Sequence, residues 1–146
     1  MEHYLLLRIA HAAPAILLLL GVLAHAFMLW KAWRGGDAAV LQRKLRRTRS
    51  ISLPLLGVLA LSLPVSGWWL VDTVGWPLGQ TWLLGSSILF AVMMLFGLLL
   101  TGRLAAWQVL GEAPAPARLL RFTAAYGGLI VLLLLVIMGL MGAKPA

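Results

Sequence analysis

No cysteine occurs in the 146-residue chain, and its acidic residues number only four. The first absence removes disulfides, thiolate metal sites and thiol catalysis; it says nothing of compartment, because a membrane span needs no disulfide. The second leaves no carboxylate machinery. Glu2, Asp37, Asp72 and Glu112 lie outside the long apolar runs or at their ends, so no intramembrane carboxylate pair serves a proton or cation relay, and the paired broken helices of an ion-coupled carrier are missing too. Gly75 to Gly79 lacks the Lys-Ser/Thr pair of a phosphate loop. What fills the chain is apolar: 62% hydrophobic and 11% charged, with a mean hydropathy of +0.98. One small core cannot absorb that much apolar surface, so the solvent is lipid.

Four runs of spanning length stand out, about 4–30, 51–71, 82–100 and 122–141. They predict a single membrane domain over 1–146, an all-α, integral membrane four-helix antiparallel bundle. The first run reads as a retained span. Ala24-His25-Ala26 has the look of a signal cleavage site, but the run is too long, Glu2 spoils a basic start, and the positive charge follows the run.

Charge sets the expected orientation. Seven of the twelve Lys and Arg residues, Lys31, Arg34, Arg43, Lys44, Arg46, Arg47 and Arg49, fall in one connection opposed only by Asp37. Gly35-Gly36-Asp37 breaks the first helix there, and a basic amphipathic piece, 38–47, leads to the next span. The net charge of +8 therefore reads as a cytoplasmic loop with an anionic-lipid contact, not as nucleic-acid binding. The connection over 72–81 carries no Lys or Arg, which places it and both termini outside. Trp68, Trp69, Trp76 and Trp82 gather at that level and Trp30, Trp33 and Trp107 at the other, predicting two aromatic belts. Pro54 falls in the first turn of the second span. Pro64 is interior and predicts a kink or a freed carbonyl beside Ser62, Ser66 and Gly67, where a helix or a ligand can approach.

All three histidines, His3, His11 and His25, lie on the first run. His3 reads as interfacial. At 100° and 1.5 Å per residue, His11 and His25 are about 40° apart around the axis and about 21 Å apart along it. By the same count His11 shares the outer half with Ser66, Ser87 and Met138, while His25 lies toward the inner side near Tyr126. An intramembrane histidine is costly unless it is used. A haem b suits this site, being a flat apolar disc that takes an imidazole nitrogen and accepts His or Met opposite. No histidine faces His11 or His25 from another helix, which argues against a two-haem wire and leaves a single haem with His11 and Met138, or with His11 and a weak or open position. His11 and His25 are the candidate metal ligands. Against these stand structural readings: His11 donating to Ser66 or Ser87, His25 solvated among headgroups, the methionines filling the core, and Arg8 snorkelling outward rather than meeting a propionate.

Tyr4-Leu5-Leu6-Leu7-Arg8-Ile9-Ala10-His11, Pro64-Val65-Ser66-Gly67-Trp68-Trp69-Leu70, Gly75-Trp76-Pro77-Leu78 and Ala143-Lys144-Pro145 together resemble a bacterial family of small integral membrane proteins, domain of unknown function 2269, along the whole chain. More distantly, the plan is similar to the four-helix protoporphyrinogen oxidase and the copper-resistance membrane proteins. That resemblance implies a haem-binding role for His11 and a bacterial inner-membrane location. The oxidase's third-span lysine and histidine have no counterpart between Trp82 and Leu100, and the Met and His cluster of a copper conduit is missing. Three functions are therefore expected: a haem-b redox or haem-handling protein, a non-catalytic membrane subunit or homo-oligomeric scaffold, or a copper-resistance-like metal uptake protein.

Overall fold

The computed structural model describes residues 2–77, 79–111 and 113–143, with side chains described from Leu5 to Gly142 within those bounds. The His3 side chain, Leu78, Glu112 and the Lys144-Pro145 ending, each used above, lie outside the described residues. The chain is helical, and no strand occurs among the described residues. The elements are α1 (Glu2–Arg34), α2 (Ala38–Arg47), a π turn (Thr48–Ser52), α3 (Leu53–Val74), α4 (Thr81–Val109) and α5 (Ala117–Ala143). Four stretches are long and apolar enough to cross a membrane, with α2 and α3 forming one of 37 residues. In hydrocarbon no water satisfies a backbone amide, so Leu-, Ala- and Gly-rich runs of this length close their hydrogen bonds as helices.

Contacts fix the helix directions. His11 meets Ser66 while Gly21 meets Leu56, so α3 descends as α1 rises. Gly85 approaches Leu140 and Phe96 meets Tyr126, so α4 and α5 are antiparallel as well. These two pairs are the most extensive packings, with α1 against α5 and α2 against α4 joining them. Small residues let the backbones close in. A Cβ added at Gly21 would fall 2.6 Å from Leu56 Cδ2, and Ala60 is buried in the central core with Leu18, Leu63, Met93, Ile130, Leu134 and Ile137. Such packing drives helix association where lipid is as apolar as leucine. Leu, Val and Ile on the outer faces are correspondingly exposed.

The helices outrun their apolar cores. α4 continues through Gly102 and Arg103 to Val109, and α5 begins at Ala117. α1 ends at Arg34, Gly36 takes φ +75°, and the Asp37 carboxylate accepts from the amides of Ala39 (3.0 Å) and Val40 (3.4 Å), capping α2. α2 then docks onto the bundle. Leu45 is wholly buried against Leu29, Leu104 and Trp107, Gln42 Nε2 donates to Gly111 O at 2.7 Å, and Arg49 Nη1 donates to Gln108 Oε1 at 2.7 Å.

Two expectations change in detail. Pro54 does not open a free helix: the helix arrives from α2, and the Leu53 amide reaches back to the Thr48 carbonyl five residues earlier. The wider π turn absorbs the amide that Pro54 lacks. α3 runs unbroken through Pro64. The second change concerns tryptophan. Trp68, Trp69, Trp30 and Trp33 are exposed as a belt requires, but Trp82 and Trp107 are buried. Trp82 packs with Val71 and Leu83, lies edge-on to Trp76 at 5.2 Å and donates Nε1–H to Gln80 Oε1 at 2.7 Å; each ring plugs one end of the bundle.

Candidate functional site

The site is built where α1 and α3 press closest. Ser62 and Ser66 lie one turn apart on α3, as a hydroxyl must to fold back on the preceding turn. Ser66 Oγ donates to the Ser62 carbonyl at 2.8 Å, with the Leu63 carbonyl at 3.3 Å, and His11 Nδ1 lies 2.9 Å from the same oxygen. A hydroxyl has one proton, and here the carbonyl takes it. The proton between ring and hydroxyl therefore belongs to His11 Nδ1, and in the neutral ring Nε2 keeps its unshared pair. Gly67 lets the ring in: a Cβ there would fall 3.1 Å from His11 Cε1.

Beside the imidazole, α1, α3, α4 and α5 enclose a cavity of about 380 Å³ whose lining includes His11, Pro64, Gly67, Ser86, Phe90 and Met138. His11, Ala12, Gly67 and Met141 also line an adjoining space of about 270 Å³, where Arg8, Trp76 and Trp82 form the outer wall. The larger cavity is within the range of small-molecule sites and nearly all apolar. Ser86 is its exception. Seven helical hydroxyls, on Ser50, Ser62, Ser66, Thr73, Ser87, Thr101 and Thr123, fold back on a carbonyl three or four residues earlier. Among the described residues two buried hydroxyls have no partner, Thr48 Oγ1 at the π turn and Ser86 Oγ, whose residue is 1% exposed and borders the cavity. A buried hydroxyl left without a partner is costly, and the cavity that Ser86 borders is where a polar atom of a ligand would sit.

Three of the anticipated residues thus line these spaces, His11 and Met138 the larger and Arg8 the adjoining one, while Ser66 lines neither and joins the site through its bond to His11. Between the two expected acceptors the structure selects Ser66; Ser87 turns its hydroxyl to Leu83 O at 2.9 Å. His25 stays apart. It is half-buried with Nδ1 shielded and unpartnered, not solvated on that side, and it lines neither cavity. No group of three or more His, Cys, Asp or Glu side chains converges among the described residues, so the geometry offers the copper-uptake reading no such ligand set. Ser86 was missed because a serine beside a second serine on an apolar helix carries no signal of which hydroxyl turns inward.

The model of a family described as a predicted integral membrane protein, DUF2269, matches residues 5–145. No curated protein and no solved structure matches the chain. The chain belongs to the DUF2269 family of integral membrane proteins.

Proposed function

We propose that this DUF2269 member is a haem-b-binding protein of the bacterial inner membrane, serving redox or haem-handling chemistry, in which His11 would hold the iron. The observation that supports the reading is the Ser62–Ser66–His11 chain, which holds the imidazole by Nδ1 and leaves the Nε2 pair free beside an apolar cavity. A ligating histidine is ordinarily oriented in this way through its other nitrogen. The donor set fits: a thioether on Met138 of α5 lining the same cavity, a glycine at the imidazole where a side chain would intrude, and Arg8 in the adjoining space to meet a propionate. When bound, the haem supplies one-electron chemistry. The protein's residues hold it, exclude water and keep the imidazole in one tautomer.

Orientation follows from charge. All Lys and Arg residues except Arg8 and Lys144 belong to the end that carries α2 and the α4–α5 connection. By the positive-inside rule that end faces the cytoplasm, placing His11 in the outer leaflet, with Lys31 to Arg49 against anionic lipid. The test is an absorption spectrum of the detergent-purified protein, oxidised and dithionite-reduced, beside His11→Ala. A Soret band with reduced α and β bands, lost in the variant, is the expected result; a colourless wild-type protein expressed with ample haem overturns it.

A second reading is a non-catalytic subunit or scaffold that binds a membrane partner or another copy. It is favoured by the bond His11 already makes across to α3, which needs no ligand to be useful. Under it, the preparation is colourless and His11→Ala costs only an interhelical hydrogen bond, on the order of 1 kcal/mol.

A further inference from the structure

At the basic end, on the face where α4 meets α5, a groove of about 480 Å³ is lined by Arg103, Pro116, Arg118, Leu119, Phe122 and Tyr126. Both guanidinium-bearing residues are exposed. Among the described residues no carboxylate lines the groove, and neither arginine has a side-chain hydrogen-bond or ion-pair partner. Leu104 packs in one cluster with Leu119 and Leu120, which, with α4 and α5 antiparallel, sets Arg103 near the level of Leu120 and Arg121, roughly 3 to 5 Å deeper than Arg118. Below the two cations the wall is aromatic. Arg118 lies 5.5 Å over the Phe122 ring, Phe122 stacks on Tyr126 at 6.1 Å, and Tyr126 meets Phe96 of α4 in a tilted contact at 5.9 Å.

We infer that this groove is a specific binding site for an anionic phospholipid of the same leaflet, its phosphate held between Arg103 and Arg118 and an acyl chain laid along Phe122 and Tyr126. Three properties favour a lipid over a soluble anion. The groove opens at the level where helix ends meet headgroups, its two cations stand at different depths, and its aromatic ladder leads away from them into the apolar span. A free phosphate would use the arginines and nothing else. Arginine forks match phosphate oxygens two at a time, and the ring beneath Arg118 holds its fork in place. The site is separate from the His11 cavity, at the opposite end of α4 and α5, and stands whether or not that cavity takes a haem.

The experiment is lipid retention. Full-length protein is incubated in detergent with equal phosphatidylglycerol and phosphatidylcholine, washed, and read by native mass spectrometry. Wild type is expected to keep phosphatidylglycerol selectively. Arg103→Gln with Arg118→Gln should weaken retention roughly 30-fold, at about one charge's worth of membrane attraction per arginine removed. Arg43→Gln with Arg47→Gln, which removes the same number of exposed cations from the α2 surface that faces anionic lipid without a groove, should lower retention several-fold less than the groove pair, and Arg103→Lys with Arg118→Lys should keep most of it, which guards against a folding artefact. Equal retention of the two lipids, equal loss in both glutamine pairs, or displacement of the lipid by millimolar inorganic phosphate would each overturn the assignment.

Discussion

Replacing Gly67 by Ala tests the His11 geometry without reference to any ligand. A methyl at this position falls 3.1 Å from His11 Cε1 and 3.6 Å from Nδ1, so the ring must retreat by a few tenths of an ångström. It cannot retreat freely, because Nδ1 is bonded at 2.9 Å to Ser66, the residue just before Gly67 on the same helix. Two effects of opposite sign compete. Alanine favours the helix over glycine by about 1 kcal/mol, while crowding a packed contact costs about 1 to 3 kcal/mol. In the wild-type background Gly67→Ala is therefore expected to be neutral or destabilising by up to about 2 kcal/mol. With His11→Ala already in place the crowding is gone, and the same substitution should stabilise by up to about 1 kcal/mol. The assay is reversible unfolding in mixed micelles titrated with dodecyl sulfate, followed by circular dichroism for the four members of the cycle. A coupling of at least about 1 kcal/mol is expected. If Gly67→Ala has the same effect in both backgrounds, within about 0.5 kcal/mol, the imidazole is not held against Gly67 and the cavity's wall has been misplaced.

Two other substitutions address neighbouring parts of the molecule. Ser86→Ala removes a buried hydroxyl that has no partner, so the ligand-free protein should gain stability, by about 1 kcal/mol; a loss of that size in the same micelle titration would mean that the hydroxyl is satisfied within the protein. Leu45→Ala empties the one fully buried apolar contact of α2 and should cost about 2 to 4 kcal/mol. That loss should appear as faster hydrogen exchange and faster proteolysis of residues 35–52, with α4 and α5 unchanged.

Much of this arrangement was legible beforehand, for reasons that particular residues make plain. Hydrocarbon permits few backbone solutions, so four runs such as Trp82 to Leu100 had to be helices, and Gly35-Gly36-Asp37 had to separate α1 from α2. Counting depth at 1.5 Å per residue brought His11, Ser66 and Met138 to one level because the helices run nearly antiparallel. Rotation about the axis was not legible. Nearly every position on these helices is apolar, so nothing in the pattern told which of Ser86 and Ser87 turns inward, or that Trp82 and Trp107 leave the interface to plug the bundle. The π turn was likewise hidden: Ser52-Leu53-Pro54 reads as a helix start, and only the docking of Leu45 shows that the helix was already under way.

That π turn also bears on how this chain can change. A π turn holds one residue more than the α-helical turn it replaces, so everything before it is rotated by about 100° relative to an uninterrupted helix. In the phase the protein has, Leu41, Leu45 and Thr48 point at the bundle while Arg43, Arg46 and Arg47 point away. Removing any one residue between Thr48 and Ser52 restores the ordinary phase and swings the leucines off the core. The segment is thus held to one length as well as by the side chains of Thr48 and Arg49, and an insertion or deletion there is a rotation of α2 rather than a change in a loop.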